Sequence, residues 1–86
     1  MNVLIPTQLR SYTGGRSCVA ASGNTLAEVL ACLDSDYPGI RFRMIDEQDR
    51  IREHIRIFVS GDTAERIDIP LTESDEVHIV GALSGG

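Results

Sequence analysis

The sequence contains no lysine, so all eight of its basic residues are arginine. It therefore offers no lysine side chain to which a second copy could be joined through an isopeptide bond. It also lacks an apolar run of the roughly 20 residues that a membrane-spanning helix needs. Residues 1–5 resemble a strand more than a secretion leader. These absences make a cytoplasmic location the default expectation.

Positive charge is scarce. The sequence has eight basic and thirteen acidic residues, which gives a formal net charge of −5. Nucleic acids and anionic membranes attract basic surfaces, so this balance argues against both as partners. It favours a partner protein with a basic surface, which long-range attraction would steer toward the chain.

The sequence also offers few residues for catalysis or metal binding. Cys18 and Cys32 fit no metal-ligand spacing, and we expect two buried thiols in a reducing compartment. His54 and His78 have no evident metal partners, and no Ser-His-Asp spacing stands out. A chain of 86 residues forms one small domain with little surface left for a deep cavity. We predict no catalytic residue, no metal site and no enzymatic activity.

The first quarter of the chain predicts a hairpin. Residues 1–5 form an apolar run that reads as a strand, and residues 17–22 alternate loosely as a second strand. Between them, residues 6–16 read as a turn region in which Gly14 and Gly15 permit the reversal.

A helix follows the hairpin and is the clearest element in the pattern. Thr25 and Glu28 have the T-x-x-E spacing of a capping box. Pro38 and Gly39 predict its end. Apolar residues recur at helical spacing and predict one buried stripe, namely Leu26, Val29, Leu30, Leu33 and Tyr37.

The second half predicts strands around a less regular segment. Residues 40–54 mix charges of both signs and suggest an irregular crossing with a helical turn. Residues 55–60 alternate as a strand, residues 63–69 could hold a short strand, and residues 76–80 form the last strand. The side chains expected to point inward from the two longer strands are Ile55, Ile57, Val59, Val77 and Ile79.

The order of elements, β-β-α-β-(β)-β, predicts an α+β fold with one main helix packed on one face of a mixed sheet of four or five strands. The first and last strands should be neighbours at the centre of that sheet. This is the β-grasp arrangement of ubiquitin. We expect residues 1–80 to form the β-grasp domain and residues 81–86 to form a flexible C-terminal diglycine tail.

The sequence ends in Gly85-Gly86 directly after a strand and a few small residues. Two such glycines would occur by chance in roughly 0.5% of chains, because glycine is about 7% of residues. A segment without side chains can enter a narrow active site of another protein. We therefore predict that the α-carboxylate of Gly86 is the working group, carried by Leu83, Ser84 and Gly85.

Four segments of the chain have a familiar pattern: IPTQLRSYTGG at residues 5–15, ASGNTLAEVL at 21–30, IRIFVSGD at 55–62 and DEVHIVGALSGG at 75–86. Through them nearly the whole chain resembles the ubiquitin-like sulfur carriers that include ThiS and MoaD, most closely the branch that serves cysteine biosynthesis in actinobacteria. The chain departs from ubiquitin in residues 82–84, Ala-Leu-Ser, where ubiquitin has basic residues around a leucine.

The resemblance implies a cycle run by partner enzymes. An E1-like adenylyltransferase/sulfurtransferase would use ATP to adenylate Gly86, and a sulfur donor would replace AMP to leave a thiocarboxylate. An acceptor synthase, such as a pyridoxal-phosphate-dependent enzyme, would then take the sulfur. The chain itself would bind no cofactor. The acceptor stays open among a cysteine precursor, the thiamine thiazole, molybdopterin and a sulfur-containing natural product.

Two other functions stay open beside the carrier. The chain could be a ubiquitin-like modifier joined through Gly86 to lysines of target proteins, or a β-grasp binding module whose tail is incidental.

A partner must also recognise the body of the protein. Ordering a six-residue tail costs about 6–12 kcal/mol, and docking of the body has to offset that cost. If the strands at residues 55–60 and 76–80 are neighbours, their outward side chains share one face. We predict that this face binds the partner through Arg56, Phe58, His78 and Val80.

Overall fold

The computed structural model describes residues 1–81. The predicted working group Gly86 and its neighbours Leu83, Ser84 and Gly85 lie outside the described residues. Within residues 1–81, five strands, two α-helices and one 3-10 helix alternate along the chain. Their bounds are β1 Asn2–Leu4, the 3-10 helix Thr7–Thr13, β2 Cys18–Ala20, α1 Leu26–Asp36, α2 Ile40–Met44, β3 Ile55–Val59, β4 Asp62–Ala64 and β5 Val77–Gly81.

The five strands form one mixed sheet in the order β2-β1-β5-β3-β4. The first strand, β1, runs parallel to the last strand, β5, with Val3 beside Val77 and Leu4 beside His78. All other neighbours are antiparallel. The prediction that the first and last strands meet inside the sheet is confirmed, and the architecture is the predicted β-grasp.

Helix α1 begins as the capping pattern predicts. Thr25 is its N-cap, and the Thr25 hydroxyl accepts a hydrogen bond of 3.2 Å from the backbone N–H of Glu28. The Glu28 carboxylate reaches back to the backbone N–H of Asn24, one residue before the cap, at 2.9 Å. The two side chains together satisfy amide donors that the first turn leaves without helical partners. The helix ends at Asp36, just before Tyr37 and Pro38, as predicted.

The predicted stripe of α1 closes over the inner face of the sheet. Leu26, Val29, Leu30 and Leu33 are fully buried. They join one hydrophobic cluster with the inward side chains of the strands, the largest contributors being Val3, Ile55, Ile57, Val77 and Ile79. Burying one such side chain stabilises the fold by about 1.5–3 kcal/mol, so the core holds the sheet and helix in a fixed relation.

Residues 6–16, predicted as a turn region, contain the 3-10 helix Thr7–Thr13, which buries Leu9 and Thr13. The Thr13 hydroxyl bonds to the carbonyls of Arg10, at 3.2 Å, and Arg16, at 2.8 Å. Gly14, at φ 64°, ends the helix in the left-handed conformation that glycine adopts without strain.

Residues 40–54 are more regular than predicted. They begin with the short helix α2, which buries Ile40 and Met44. The Asp34 carboxylate on α1 accepts hydrogen bonds of 3.1 Å from the backbone N–H groups of Gly39 and Arg41, and so fixes α2 against α1. This helix is the helical turn that the sequence suggested for residues 40–54, although a five-residue helix is too short for the pattern to give its bounds.

Three other expectations are corrected. The expectation that both thiols are buried is wrong, because Cys18 is exposed on the outer face of β2 and Cys32 is only half-buried. The short strand expected within residues 63–69 is β4, which starts one residue earlier, at Asp62. Strand β5 extends to Gly81, one residue past the predicted end at Val80. Among the helices of residues 1–81, none is long and apolar enough to cross a membrane.

Candidate functional site

The predicted partner-binding residues lie together on the outer face of the sheet. The antiparallel register of β3 and β5 places Arg56 opposite Val80 and Phe58 opposite His78. Arg56 and His78 are exposed, whereas Phe58 and Val80 are half-buried. The four side chains therefore form one surface that combines two half-buried apolar side chains with an exposed guanidinium and an exposed imidazole. We call Arg56, Phe58, His78 and Val80 the outer patch.

The outer patch continues across the whole sheet. Leu4 on β1 lies beside His78, and Cys18 on β2 lies opposite Leu4. On the other side, Thr63 on β4 lies opposite Phe58. One row of side chains thus crosses all five strands. The sequence prediction missed Leu4, although its alternation with buried Val3 is a signal that it points outward.

The centre of the row is an aromatic contact. The rings of Phe58 and His78 have centroids 6.4 Å apart and planes inclined by 54°. This separation is within the range of favourable tilted aromatic pairs. Arg56 is held at the start of β3 by hydrogen bonds from its guanidinium to the carbonyls of Glu53, at 2.7 Å, and Ile55, at 3.1 Å. The patch is therefore preorganised before any partner binds.

A groove of about 580 Å³ adjoins the patch where β5 ends. One wall is the segment that leads from β1 into the 3-10 helix, and the other is β5. Arg10 holds the first wall through a hydrogen bond of 3.1 Å from its Nε to the carbonyl of Ile5. The residues that line the groove and also reach the outer face or the chain exit are Leu4, Gln8, His78, Val80 and Gly81.

Gln8 and Gly81 meet at the point where the chain leaves the sheet. The Gln8 side-chain amide donates a hydrogen bond of 3.3 Å to the carbonyl of Gly81. A Cβ atom on residue 81 would lie 2.6 Å from the Gln8 amide carbon and nitrogen. Glycine at this position therefore allows Gln8 to close over the end of β5.

A carboxylate fixes the other end of β5. Asp75, in the turn before the strand, accepts hydrogen bonds of 2.8 Å from the backbone N–H of Thr72 and from the hydroxyl of Ser60. Thr72 also donates its hydroxyl, at 3.3 Å. These donors, the Thr72 N–H foremost, lower the pKa of Asp75. Because Ser60 directly follows β3, Asp75 ties the two strands of the outer patch together.

The described site has groups for binding and none arranged for metal chemistry. Within residues 1–81, no cluster of three or more histidine, cysteine, aspartate or glutamate side chains is placed to hold a metal ion. The outer patch contributes an aromatic ring, an imidazole, a guanidinium and an aliphatic side chain. Such a surface can recognise a protein and position the segment that follows β5.

Comparison with known sequences gives a match over the length of the chain. A family model described as the ThiS family matches residues 3–86. The sulfur carrier protein CysO of Mycobacterium tuberculosis is 33% identical over 91 residues, an alignment that covers 100% of this chain and 98% of the relative. The similarity therefore includes the C-terminal residues that the structure does not describe.

Solved structures agree with this match. A chain of the Amycolatopsis orientalis BexX/CysO complex is 30% identical with a TM-score of 0.90, covering 99% of this chain and 98% of that one. The small archaeal modifier protein 1 of Methanosarcina acetivorans is 26% identical with a TM-score of 0.80, covering 99% and 94%. The fold is shared by proteins named as carriers and by proteins named as modifiers.

Proposed function

The chain belongs to the ThiS family, and from this we propose that it is a sulfur carrier whose reactive group is the C-terminal carboxylate of Gly86. The observation that carries the proposal is the full-length similarity to the sulfur carrier protein CysO, combined with a sequence that ends in Gly85-Gly86. The chain acts as a co-substrate of partner enzymes and is not itself a catalyst.

The proposed cycle begins with activation of a carboxylate, which is a poor electrophile. An E1-like partner joins the Gly86 carboxylate to the α-phosphate of ATP and releases pyrophosphate. A sulfide equivalent from a sulfur donor attacks the acyl carbon, and AMP leaves. The product is a thiocarboxylate on Gly86, which is an anion at neutral pH.

The thiocarboxylate sulfur then attacks a carbon of an activated acceptor held by a second enzyme, and the leaving group that activates this carbon departs with the electron pair of its bond. The new carbon–sulfur bond leaves the acceptor joined to Gly86 as a thioester. Hydrolysis of the acyl–sulfur bond releases the acceptor with its sulfur and restores the carboxylate. We favour a cysteine precursor as acceptor and a pyridoxal-phosphate-dependent synthase as the enzyme that holds it. Because activation uses ATP, we place the cycle in the cytoplasm.

The geometry supports the outer patch as the surface to which the activating enzyme and the acceptor synthase both bind. Strand β5 carries His78 and Val80 and leads directly toward the last residues of the chain. A segment of five residues, 82–86, reaches about 17 Å when fully extended. A partner that holds the outer patch can therefore have its active site no farther than this from Gly81. Binding of the patch would offset the entropy lost when that segment enters the partner.

Intact-mass spectrometry tests the proposal. The chain is co-expressed with its cognate activating enzyme and a sulfur source, and we expect a mass gain equal to sulfur replacing oxygen. Deletion of Gly86 should abolish the gain and leave the urea unfolding midpoint unchanged. Sulfur loading that persists in the deletion variant would overturn the assignment of Gly86. No mass change in the full chain with an active activating enzyme would overturn the carrier function.

A protein modifier is the second candidate. It is favoured by the similarity to the small archaeal modifier protein 1 of Methanosarcina acetivorans. The same co-expression would then yield conjugates of higher mass, with the terminal Gly-Gly attached to lysines of other proteins. Chains linked through this protein's own lysines are excluded, because its sequence contains none. Conjugates without any thiocarboxylate intermediate would favour the modifier over the carrier.

A further inference from the structure

A second surface, separate from the outer patch, lies at helix α2. Phe42 is 57% exposed, and no other large apolar side chain within residues 1–81 is as exposed to solvent. Its neighbours on the helix, Ile40 and Met44, are fully buried. The helix therefore has its own core contacts and does not need Phe42 for them. An exposed aromatic ring beside charged groups is a common feature of protein-binding surfaces.

Two arginines are held in fixed positions around this ring. The Arg52 guanidinium carbon lies 4.6 Å from the Phe42 ring centroid, and Arg52 Nε donates to the Phe42 carbonyl at 2.7 Å. Arg43 Nε donates to the Tyr12 hydroxyl at 2.8 Å. In both arginines the Nε–H group donates the hydrogen bond within the protein. The Nη groups are therefore left to donate to a ligand. A guanidinium fixed in this way keeps the fork that matches a carboxylate.

Neither arginine forms a salt bridge among the described residues. The charge of Arg52 does act on nearby Asp46, where it adds to the hydrogen bond from the Arg50 N–H in lowering the pKa of that carboxyl. The two salt bridges found within residues 1–81 join Arg41 to Asp49 and Arg66 to Asp68. Neither involves Arg43 or Arg52. A cleft of about 150 Å³ is lined by Phe42, Arg43, Arg52 and His54, and none of these is acidic. Arg43 and Arg52 thus bring two guanidinium groups without a salt bridge among the described residues to one cleft of a chain whose net charge is −5.

We propose that this α2 cleft, formed by Phe42, Arg43, Arg52 and His54, docks an acidic segment of a partner protein. One carboxylate of the segment binds between the Nη groups of Arg43 and Arg52. An apolar side chain beside that carboxylate packs on the exposed part of the Phe42 ring. The inference goes beyond the proposed carrier function, because the α2 cleft lies outside the outer patch and does not involve Gly86.

The chemistry of the cleft favours a peptide over a small anionic ligand. At about 150 Å³ the cleft is too small for the drug-sized ligands that occupy pockets of 300–1,000 Å³, and it would admit one side chain of a peptide. Phe42 adds an apolar surface that inorganic phosphate would leave uncovered.

An NMR titration of the full chain tests the proposal. The probe is a synthetic peptide of alternating aspartate and leucine, and the control peptide has asparagine in place of aspartate. We expect saturable shifts of the backbone amides of residues 42–44 and 52–54 with the acidic peptide alone. The affinity should fall in high salt, because the attraction is electrostatic.

Variants locate the contact. Arg43→Ala should weaken binding of the acidic peptide about tenfold, which is the usual effect of losing one charge-assisted hydrogen bond. Arg43 is exposed, and within residues 1–81 its side chain forms a hydrogen bond only with Tyr12. The loss of fold that Arg52→Ala could cause is therefore avoided. Phe42→Ala should weaken binding of the same peptide, and Arg66→Ala, a matched arginine outside the cleft, should leave it unchanged.

Several results would overturn the proposal. These are no saturable shift with the acidic peptide, equal shifts with the asparagine peptide, and equal binding by Arg43→Ala and Arg66→Ala. Inorganic phosphate that saturates the same amides at lower concentration than the peptide would show a small-anion site instead. Concentration-dependent dimerisation that Arg43→Ala abolishes would identify a second copy as the occupant.

Discussion

His78 on β5 lies directly opposite Phe58 on β3, with ring centroids 6.4 Å apart. The pair stands at the middle of the row that crosses the sheet, and β5 continues from His78 to the residues that precede the diglycine. A partner that covers these two rings is therefore placed beside the exit of the chain. This relationship joins the surface proposed for recognition to the segment proposed to carry the chemistry.

Replacing Phe58 by alanine should weaken recognition by the activating enzyme. Truncating a central aromatic at an interface commonly costs 1–2 kcal/mol or more, so we expect the KM for the carrier to rise about tenfold with kcat little changed. Thiocarboxylate formation measured against carrier concentration would show this. Arg66→Ala, which removes an exposed side chain off the sheet face, should behave like the parent. An unchanged KM in Phe58→Ala would remove the outer patch from the activation step.

Replacing Gly81 by alanine should be nearly neutral, although its Cβ would lie 2.6 Å from Gln8. The atoms it meets are the far end of a flexible, exposed side chain, which can swing away. We expect the free energy of unfolding to fall by less than about 1 kcal/mol in urea titrations.

The double variant Gln8→Ala, Gly81→Ala isolates this contact. Without the Gln8 amide beside residue 81, the double variant should have the same free energy of unfolding as Gln8→Ala alone, or one about 0.5 kcal/mol higher. Alanine loses less backbone entropy than glycine when the strand forms. A large loss in both the single and the double variant would show that the backbone at residue 81 tolerates no Cβ, independent of Gln8.

Gly23→Ala should be clearly destabilising. A Cβ at this position would lie 2.7 Å from the backbone nitrogen of Val29 and 2.7 Å from the Glu28 Cβ, neither of which can move without shifting the first turn of α1. Such crowding typically costs about 1–3 kcal/mol. Thermal and urea unfolding would measure it, with exposed Ser22→Ala as the neighbouring control. Equal stability of the two variants would contradict the close approach of this loop to the helix.

The hydrogen bonds to Asp75 predict a dependence of stability on pH. The Thr72 N–H and the Ser60 hydroxyl favour the ionised carboxylate, so its pKa is lower in the folded chain than in the unfolded one. Its contribution is therefore complete above the unfolded pKa of about 3.9 and is lost as the pH falls through the lower folded value.

Asp75→Asn should accordingly lower the melting temperature at pH 7, and the deficit should shrink as the pH is lowered below about 4. Glu73→Gln removes an equal charge from an exposed residue of the same turn and should show no such convergence. A deficit in Asp75→Asn that is constant across pH would mean that the ionised form of Asp75 does not matter for folding. Melting curves by circular dichroism at a series of pH values give the comparison.

Elements with long or repeated patterns could be predicted from the sequence. The capping pair Thr25 and Glu28 and the helical spacing of apolar residues predict α1. The alternation of apolar and other residues predicts the strand at Ile55–Val59. Short elements were harder to place, because one or two periods are too few to separate a pattern from chance. The bounds of α2 were not given beyond a helical turn within residues 40–54, and the 3-10 helix Thr7–Thr13 was predicted as a turn region. The exposure of Cys18 was misjudged because residue type does not tell which face of a short strand points inward.

By itself, the sequence determined the β-grasp order of elements, the absence of lysine and the diglycine ending, since these follow from composition and local pattern. Only the tertiary structure decided which side chains meet. The register of β3 and β5 brought Phe58 to His78, and the packing of the 3-10 helix brought Gln8 to Gly81. It also placed Arg52 over the ring of Phe42. Contacts between residues far apart in the chain depend on the packing of the whole core, which local patterns do not encode.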